Sequence, residues 1–304
     1  MKINIFQAGL LALLLLPACK KDEDTVTKPS LSGLTITSAA PYVRAGAVLS
    51  FTADVSALTD SDEDNDPEYI GLAWQVNSEK RDTLTMDIRK SNPVFQYTVS
   101  TEGSYSVVCY AFTDGSFYST SATSTFKAID PDTALEGLSS QTVTDRLGQT
   151  WTNRNLYQTA TGRTYEDCEV VASVFGRYYN WEQAQTACPA GWHLPAPRDF
   201  DEGLTDVAGD LMADASFLGE KMWDYWPQVT ITNALQFNAL PVGYIDLAGS
   251  GSASTTRGDY AIWWTSGEED GQGIYRYLFE QNPRLQAGSG SKTSLYLSVR
   301  CVKD

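Results

Sequence analysis

The residues of this chain that are most suggestive of chemistry lie in TACPAGWHLPAPRDF, residues 186–200. His193 is the only histidine in the sequence, and Cys188 lies five positions before it. A cysteine and a histidine together can form a nucleophilic pair, provided that the thiol is free to ionise. A metal site would require two or three further ligands, and no second histidine exists to supply one. The state of Cys188 therefore decides whether this stretch is reactive.

A second group of candidate residues is the acidic stretch SALTDSDEDNDPEY. Carboxylates occur there at every second position and could converge on a hard cation such as Ca²⁺. An EF-hand loop requires glycine at its sixth position and glutamate at its twelfth, and this stretch has neither. A solvated loop between strands is the simpler interpretation. The weak calcium candidates are Asp60, Asp62, Asp64 and Asp66.

Other catalytic arrangements have little support. Glu268 and Glu269 are paired acids of the kind that hydrolyse glycosides, but nothing distinguishes them from loop charges. A Ser/His/Asp set would have to be built around the single histidine. We therefore expect no enzymatic activity, no catalytic residues and no cofactor.

The charge of the chain excludes one class of partner. It has 38 Asp and Glu against 22 Lys and Arg, for a formal net charge of −16. Such a field repels the phosphate backbone, so nucleic acid is not an expected partner.

The N-terminus predicts export and lipidation. In MKINIFQAGLLALLLLPAC the apolar run from Leu10 to Leu16 is too short to span a bilayer, which takes about 20 residues. Residues 1–18 are instead typical of a signal peptide. LPAC resembles a bacterial lipobox, which implies that Cys19 is lipidated and that its acyl chains include palmitate. The following KKDED resembles the surface-export signal of Bacteroidetes-type lipoproteins, so we expect an outer-membrane protein facing outside, with residues 19–31 as anchor and tether.

Residues 32–129 have the alternation of a β-sandwich. AVLSFTADVS, IGLAWQV and GSYSVVCYAFTDG each place apolar residues at every second position, and turn signals separate them. The acidic turn before a tryptophan strand and the GSYSVVCYAFTDG strand resemble a PKD or immunoglobulin-like domain. Residues 130–141 are polar and turn-rich, and we interpret them as a linker.

In the remaining chain, apolar residues recur with helical spacing in some segments and with strand spacing in others. NWEQAQTAC predicts a helix capped by Asn180, and PRDFDEGLTDVAG predicts a second helix with Phe200, Leu204 and Val207 on one apolar face. Strand-like runs such as YAIWWTS, IYRYLFEQ and LYLSVRCV follow. These periods predict an α+β domain after the all-β sandwich, and so a multidomain chain.

An ordered set of motifs resembles one family over residues 142–304. The motifs are WTNRNL, GRYYNW, ACPAGWHLP, LPVGY, WWTSGE and SVRCVKD, and they look like the Fibrobacter succinogenes major paralogous domain. That family is similar to C-type lectin-like and formylglycine-generating-enzyme-like folds, which implies paired terminal strands, two helices and a long loop-rich excursion. The reactive cysteine pair that formylglycine generation needs is absent near the C-terminus.

The resemblance also implies roles for several residues. Cys188 and Cys301 lie in motifs whose positions are close in lectin-like folds, so it implies a disulfide between them. It makes Trp263 and Trp264 core residues. A bridged Cys188 has no thiolate to offer, so we expect His193 to be a buried, neutral and hydrogen-bonded structural residue.

The function we expect is a non-catalytic, surface-exposed binding or adhesion protein whose ligand is a glycan or a protein. MWDYWP lies outside the family motifs, and its aromatics could stack on sugars or anchor a partner: Trp223, Tyr225 and Trp226. A hydrophobic cluster under a long loop is the alternative. The triplets of calcium-dependent lectins are missing. The alternative function is a structural tip or accessory subunit of a surface fimbria or a polysaccharide-handling complex.

Overall fold

In a computed structural model of the chain, the structure describes residues 32–57, 69–87, 93–112, 120–141, 143–157, 161–165, 168–223, 229–248 and 258–304. Some predicted site residues lie outside these ranges, and their roles stay predictions: Cys19, Asp60, Asp62, Asp64, Asp66, Tyr225 and Trp226.

The N-terminal part is a sandwich of two sheets. Five of the described strands pair in the order β2-β8-β7-β4-β5, and three pair in the order β1-β3-β6. All neighbours are antiparallel except β2 and β8, which run parallel. The strands are β1 Thr35–Ile36, β2 Tyr42–Arg44, β3 Val48–Asp54, β4 Tyr69–Val76, β5 Glu79–Asp87, β6 Val94–Thr98, β7 Gly103–Phe112 and β8 Thr120–Ile129.

Alternation along the strands builds the sandwich core. Val48 is 61% exposed, whereas Phe51 and Ala53 on the opposite face of β3 are buried. Trp74 on β4 stacks on Phe95 of β6 with ring centroids 5.0 Å apart, and this contact joins the two sheets. The predicted two-sheet sandwich is therefore confirmed.

Cys109 lies inside this sandwich and is unpaired. Burial raises the pKa of its thiol to about 12, so the side chain remains a neutral, apolar group at physiological pH.

The C-terminal part contains short helices and many short strands. The helices are α1 Glu169–Phe175, α2 Trp181–Ala184 and α3 Ala208–Leu211, with a π-helical turn at Asp199–Gly203. The strands are β9 Leu135–Glu136, β10 Val143–Thr144, β11 Thr150–Trp151, β12 Trp192–His193, β13 Ser216–Phe217, β14 Glu220–Lys221, β15 Ile245–Asp246, β16 Tyr260–Glu269, β17 Gln272–Phe279, β18 Gln286–Gly290, β19 Leu295–Tyr296 and β20 Val302–Lys303.

The two ends of the C-terminal part pair with each other. Its strands β10, β11, β20 and β12 form one sheet in that order, and Trp151 on β11 lies opposite Val302 on β20. The paired terminal strands that the resemblance implies are therefore observed. A three-stranded antiparallel sheet, β16-β17-β18, lies between them in the sequence.

The helices agree only in part with the sequence prediction. Asn180 caps α2 as predicted, and its side chain and that of Gln183 form a reciprocal capping box. Phe200 and Leu204 are buried as predicted, but Val207 is 46% exposed. The prediction for Val207 was wrong because the backbone is extended at Leu204 and the helical period ends there.

The predicted linker is partly built into the C-terminal part. Within residues 130–141, β9 pairs with β13, and Leu135 belongs to a hydrophobic core with α1. The sandwich touches the same core, because the rings of Tyr42 and Phe217 lie 5.9 Å apart. The thiol of the unpaired Cys168 donates to the carbonyl oxygen of Tyr42 at 3.2 Å. The boundaries of the two domains remain a prediction.

The predicted disulfide is present. Cys188 and Cys301 are bridged across 113 residues, with their Cα atoms 5.9 Å apart. The bond joins the segment after α2 to the segment that enters β20. In the chain-entropy model, closing a loop of this length stabilises the fold by about 4–5 kcal/mol.

Arg300 is a buried cation at the centre of the C-terminal part. Its Nε donates to Oδ1 of Asn155 at 2.8 Å. Its two terminal nitrogens donate to the carbonyl oxygens of Thr152, Phe237 and Asn238 at 2.8–3.0 Å. Burial is the main cause that lowers the pKa of Arg300 to about 9, and the side chain is still protonated at neutral pH.

We predict that Arg300→Lys lowers the free energy of unfolding by about 3 kcal/mol, since one ammonium cannot reach carbonyls from separate segments and leaves buried acceptors unpaired. Chemical denaturation measures this change. The matched control is Arg284→Lys at an exposed ion pair with Asp206, where we expect a change of about 0.5 kcal/mol or less. Equal losses in both variants would contradict the role of Arg300.

We also predict that replacing both Cys188 and Cys301 by serine lowers the free energy of unfolding by about 4 kcal/mol, because the unfolded chain regains the entropy of the open loop. Denaturation with and without a reductant checks this, and the reductant should destabilise the parent protein but not the double variant. Free thiols at both positions in a non-reduced digest would refute the bridge.

Candidate functional site

The residues around His193 do not form the nucleophilic cysteine–histidine pair considered in the sequence analysis. His193 lies on β12, an edge strand, and its side chain is 45% exposed. Its Nδ1 lies 2.7 Å from Oδ1 of Asp304. The predicted burial of His193 was wrong, because pairing of β12 with β20 places the ring beside the C-terminal residue at the surface. Cys188 is in the disulfide, so no thiolate is available to form a pair with the histidine.

Trp223 does not provide a stacking surface. It is 5% exposed, and its indole nitrogen donates to the carbonyl oxygen of Ala239 at 3.1 Å. The ring belongs to the hydrophobic core that includes Trp151 and Phe237. This corrects the prediction of ligand contact for Trp223, since a ring inside the core has no face open to a ligand.

The two tryptophans of the WWTSGE motif are core residues, as the resemblance implied. Trp263 and Trp264 are fully buried on β16. Their indole nitrogens donate in different directions, Trp263 to Asn155 Oδ1 at 3.0 Å and Trp264 to the carbonyl oxygen of Tyr179 at 2.8 Å. They fix β16 from both of its faces.

Metal ligation has no support in the part of the chain that the structure describes. Within those residues there is no group of three or more His, Cys, Asp or Glu side chains able to hold an ion. The four aspartates of the acidic stretch lie outside this part.

A cleft lined by tyrosines opens beside the β16-β17-β18 sheet. Its volume is about 440 Å³, within the range of small-molecule sites. We call it the tyrosine cleft, and its lining residues are Tyr244, Asp246, Ala248, Tyr260, Ile262, Tyr275, Tyr277, Ser289, Gly290, Ser291, Ser294, Leu295 and Leu297.

Strand alternation places the aromatic rings of the cleft on one face. Ile262 on β16 lies opposite Tyr277 on β17, and Trp264 lies opposite Tyr275. Residues two apart on a strand share a face, so Tyr260 joins this set. The rings of Tyr275 and Tyr277 have centroids 6.0 Å apart, and Tyr260 and Tyr277 are 6.1 Å apart. The contact between Tyr260 and Tyr277 joins β16 to β17, and cross-strand pairs of this kind stabilise a sheet.

Glycines on β18 leave space for one of these rings. Gly288 lies opposite Tyr275, and a Cβ added to it would lie 2.6 Å from ring atoms of that tyrosine. The Tyr275 ring therefore occupies the space that a side chain at position 288 would fill.

The β15–β19 pair supplies polar groups to the cleft. Asp246 lies opposite Leu295 in this pair, and its Oδ1 accepts from the backbone N–H of Ala248 at 2.9 Å. Ser291 and Ser294 follow β18 and complete the polar side. An aromatic surface thus faces the same space as a carboxylate and serine hydroxyls.

The phenol groups of the cleft are available for hydrogen bonding. Within the described residues, none of the four hydroxyls of Tyr244, Tyr260, Tyr275 and Tyr277 has a hydrogen-bond partner. Burial is the main cause that raises the pKa values of Tyr260 and Tyr275, and neighbouring tyrosines add to it. Both phenols stay neutral at physiological pH and can donate as well as accept.

Sequence reasoning missed this site. The strands YAIWWTS and IYRYLFEQ are recognisable, and the alternation of Tyr275 and Tyr277 was a visible signal. The contribution of Tyr244 and Asp246 comes from a separate segment, and only the tertiary structure brings them to the same cleft.

The comparisons with known proteins establish the family. The sequence model of the Fibrobacter succinogenes major domain matches residues 136–303. The chain belongs to this family. No curated protein matches the chain significantly.

Several solved structures are similar to parts of the chain. A CARDB domain from Pyrococcus furiosus has 12% identity and a TM-score of 0.28, covering 34% of this chain and 90% of its own. A fibronectin(III)-like module of Clostridium thermocellum CbhA has 15% identity and a TM-score of 0.24, covering 32% and 98%. A PKD domain of an M14-like peptidase from a Thermoplasmatales archaeon has 13% identity and a TM-score of 0.21, covering 34% and 95%. These TM-scores are too low to establish a shared fold.

We predict that Gly288→Ala lowers the free energy of unfolding by about 1–2 kcal/mol, since the new methyl overlaps the Tyr275 ring. Alanine in place of a strand glycine should by itself stabilise by about 0.5–1 kcal/mol, so a net loss shows that the overlap is larger. Denaturation measures it, with Ala287→Ser at the exposed neighbouring position as the control. A stabilised Gly288→Ala protein would mean that the ring does not lie on β18.

Proposed function

We propose that this chain is a surface-exposed, lipid-anchored outer-membrane protein that binds a glycan or a protein and catalyses no reaction. The tyrosine cleft is the observation that supports binding. It combines aromatic faces with phenol hydroxyls that have no hydrogen-bond partner among the described residues, beside a sheet that buried residues hold in place.

The position of the cleft favours recognition. Tyr260, Tyr275 and Tyr277 stand on long paired strands, so their rings are fixed before a ligand arrives. A site that is already ordered loses little conformational entropy on binding. Tyrosine suits such a surface because each ring offers an apolar face and a polar hydroxyl.

The proposed architecture is a PKD or immunoglobulin-like domain followed by a C-type lectin-like domain. The two-sheet sandwich supports the first assignment. The pairing of β11 with β20 and the loop-rich chain between α2 and β16 support the second. The sandwich would then act as a stalk that raises the cleft above the membrane.

The proposed location depends on the N-terminal sequence. LPAC places Cys19 where a lipobox has its lipidated cysteine, and KKDED follows it. No helix among the described residues is long and apolar enough to cross a membrane. A lipid on Cys19 would supply the anchor, since more than one acyl chain on this cysteine gives stable membrane attachment.

We predict that Cys19→Ala abolishes labelling by palmitate and releases the protein from the outer-membrane fraction. Protease added to intact cells should digest the parent protein, because the domains face outside. Labelling and fractionation of a Ser30→Ala control should be unchanged. Retention of the Cys19→Ala protein in the outer-membrane fraction would contradict lipid anchoring, and protection of the parent protein in intact cells would contradict surface exposure.

A further inference from the structure

We propose that the ligand of the tyrosine cleft is an uncharged glycan, bound through one or two sugar residues; this rests on the proposed function as a binding protein. The argument uses the faces, the hydrogen-bonding groups, the charge and the size of the cleft.

The faces of the cleft match the shape of a sugar ring. A pyranose has an apolar face of C–H groups, which packs on aromatic rings whose electron-rich face attracts them. The cleft presents neighbouring rings of Tyr260, Tyr275 and Tyr277 at centroid spacings of 6.0–6.1 Å. The planes of neighbouring rings are inclined to each other by 49° and 55°, so a pyranose can stack on one ring while the next ring contacts its edge.

The hydrogen-bonding groups of the cleft match the edge of a sugar ring. Sugar hydroxyls both donate and accept, and the neutral phenols do the same. The carboxylate of Asp246 is a strong acceptor. Its Oδ1 already accepts from Ala248, while no partner for Oδ2 occurs among the described residues. Neighbouring sugar hydroxyls can therefore donate to this oxygen.

The charge of the cleft selects against anionic ligands. The described lining residues include the carboxylate of Asp246 and no Lys, Arg or His side chain. The whole chain has a net charge of −16. A uronate, a sulfate or a phosphate would enter a negative field without a cation to pair with it. An acidic peptide is disfavoured for the same reason.

The size of the cleft favours a short segment of glycan over a protein surface. A volume of about 440 Å³ is that of a small-molecule site. Stable protein interfaces bury about 800 Å² on each partner, which is a much larger and flatter contact.

The test uses the full chain, purified in a detergent without sugar headgroups. The probes are an array of neutral hexose oligosaccharides, each matched with a counterpart that carries uronate or sulfate. We expect binding to members of the neutral set and at least tenfold weaker binding to the charged counterparts.

Two kinds of variant assign the binding to the cleft. Tyr277→Ala removes a ring and should weaken binding about tenfold or more, whereas Tyr277→Phe keeps the ring and should weaken it about three- to tenfold. Asp246→Asn should weaken binding of the neutral probe and reduce the discrimination against uronate. Tyr157→Ala, at an exposed tyrosine outside the cleft, should bind as the parent protein does.

The outcomes separate this inference from the proposed function. Two results overturn the glycan assignment of the cleft while a binding function stands. One is binding to charged probes alone. The other is binding of neutral probes that stays unchanged in Tyr277→Phe, Tyr277→Ala and Asp246→Asn. The glycan assignment is also overturned if no glycan binds and the parent protein captures a surface protein that the cleft variants fail to capture. No binding to any glycan or protein overturns both. Denaturation midpoints of the Phe and Asn variants that match that of the parent protein show that a loss of binding is not due to unfolding.

Discussion

The guanidinium of Arg300 holds together the segments on which the rest of the C-terminal domain depends. It is fully buried, and it is held by carbonyl oxygens and one amide oxygen rather than by a carboxylate. Desolvation of a cation is costly, and its hydrogen bonds offset that cost only while every acceptor is in place. The Phe237 ring, 4.5 Å from the guanidinium carbon, adds a cation–π contact. The hydrogen bonds of Arg300 therefore tie residues 152–155 and 237–238 to the segment that enters β20.

The same network reaches the tyrosine cleft. Asn155 Oδ1 accepts both from Arg300 and from the indole of Trp263 on β16. Trp264, the next residue, packs against Tyr275 with ring centroids 5.9 Å apart. Because neighbouring residues of a strand point to opposite faces, one strand is fixed by Arg300 from one face and carries Tyr260 and Ile262 on the other. The disulfide between Cys188 and Cys301 adds a covalent tie one residue from Arg300. The strand β16 therefore contacts both the Arg300 network and the tyrosine cleft.

Much of the fold was predictable from local periodicity and from the family motifs. Alternation placed Phe51, Trp74 and Val107 in the sandwich core, and the motifs placed the disulfide and both tryptophans of β16. The wrong predictions of burial have one physical cause. The spacing of apolar residues determines neither where a helix or strand ends nor which strand lies at the edge of a sheet. Val207 follows a backbone that has left the helix, and His193 is exposed because β12 is an edge strand.

The site was harder to predict than the fold. The aromatic cluster that stood out in the sequence contains Trp223, whose ring is buried in the hydrophobic core. Tyr260, Tyr275 and Tyr277 lie within ordinary strand patterns, and Tyr244 and Asp246 come from a separate segment of the sequence. Only the pairing of β15 with β19 and of β16 with β17 brings these groups to one surface, and no local signal encodes those pairings.

The most direct measurement of the central claim is NMR of the full chain labelled with ¹³C at its tyrosine rings, during titration with a neutral hexose oligosaccharide. Signals are assigned by their loss in single Tyr→Phe variants. The account predicts saturable shifts at Tyr244, Tyr260, Tyr275 and Tyr277, with Tyr97 and Tyr105 of the sandwich unchanged. Shifts confined to the sandwich tyrosines, or at Tyr225 without any change in the cleft, would contradict it.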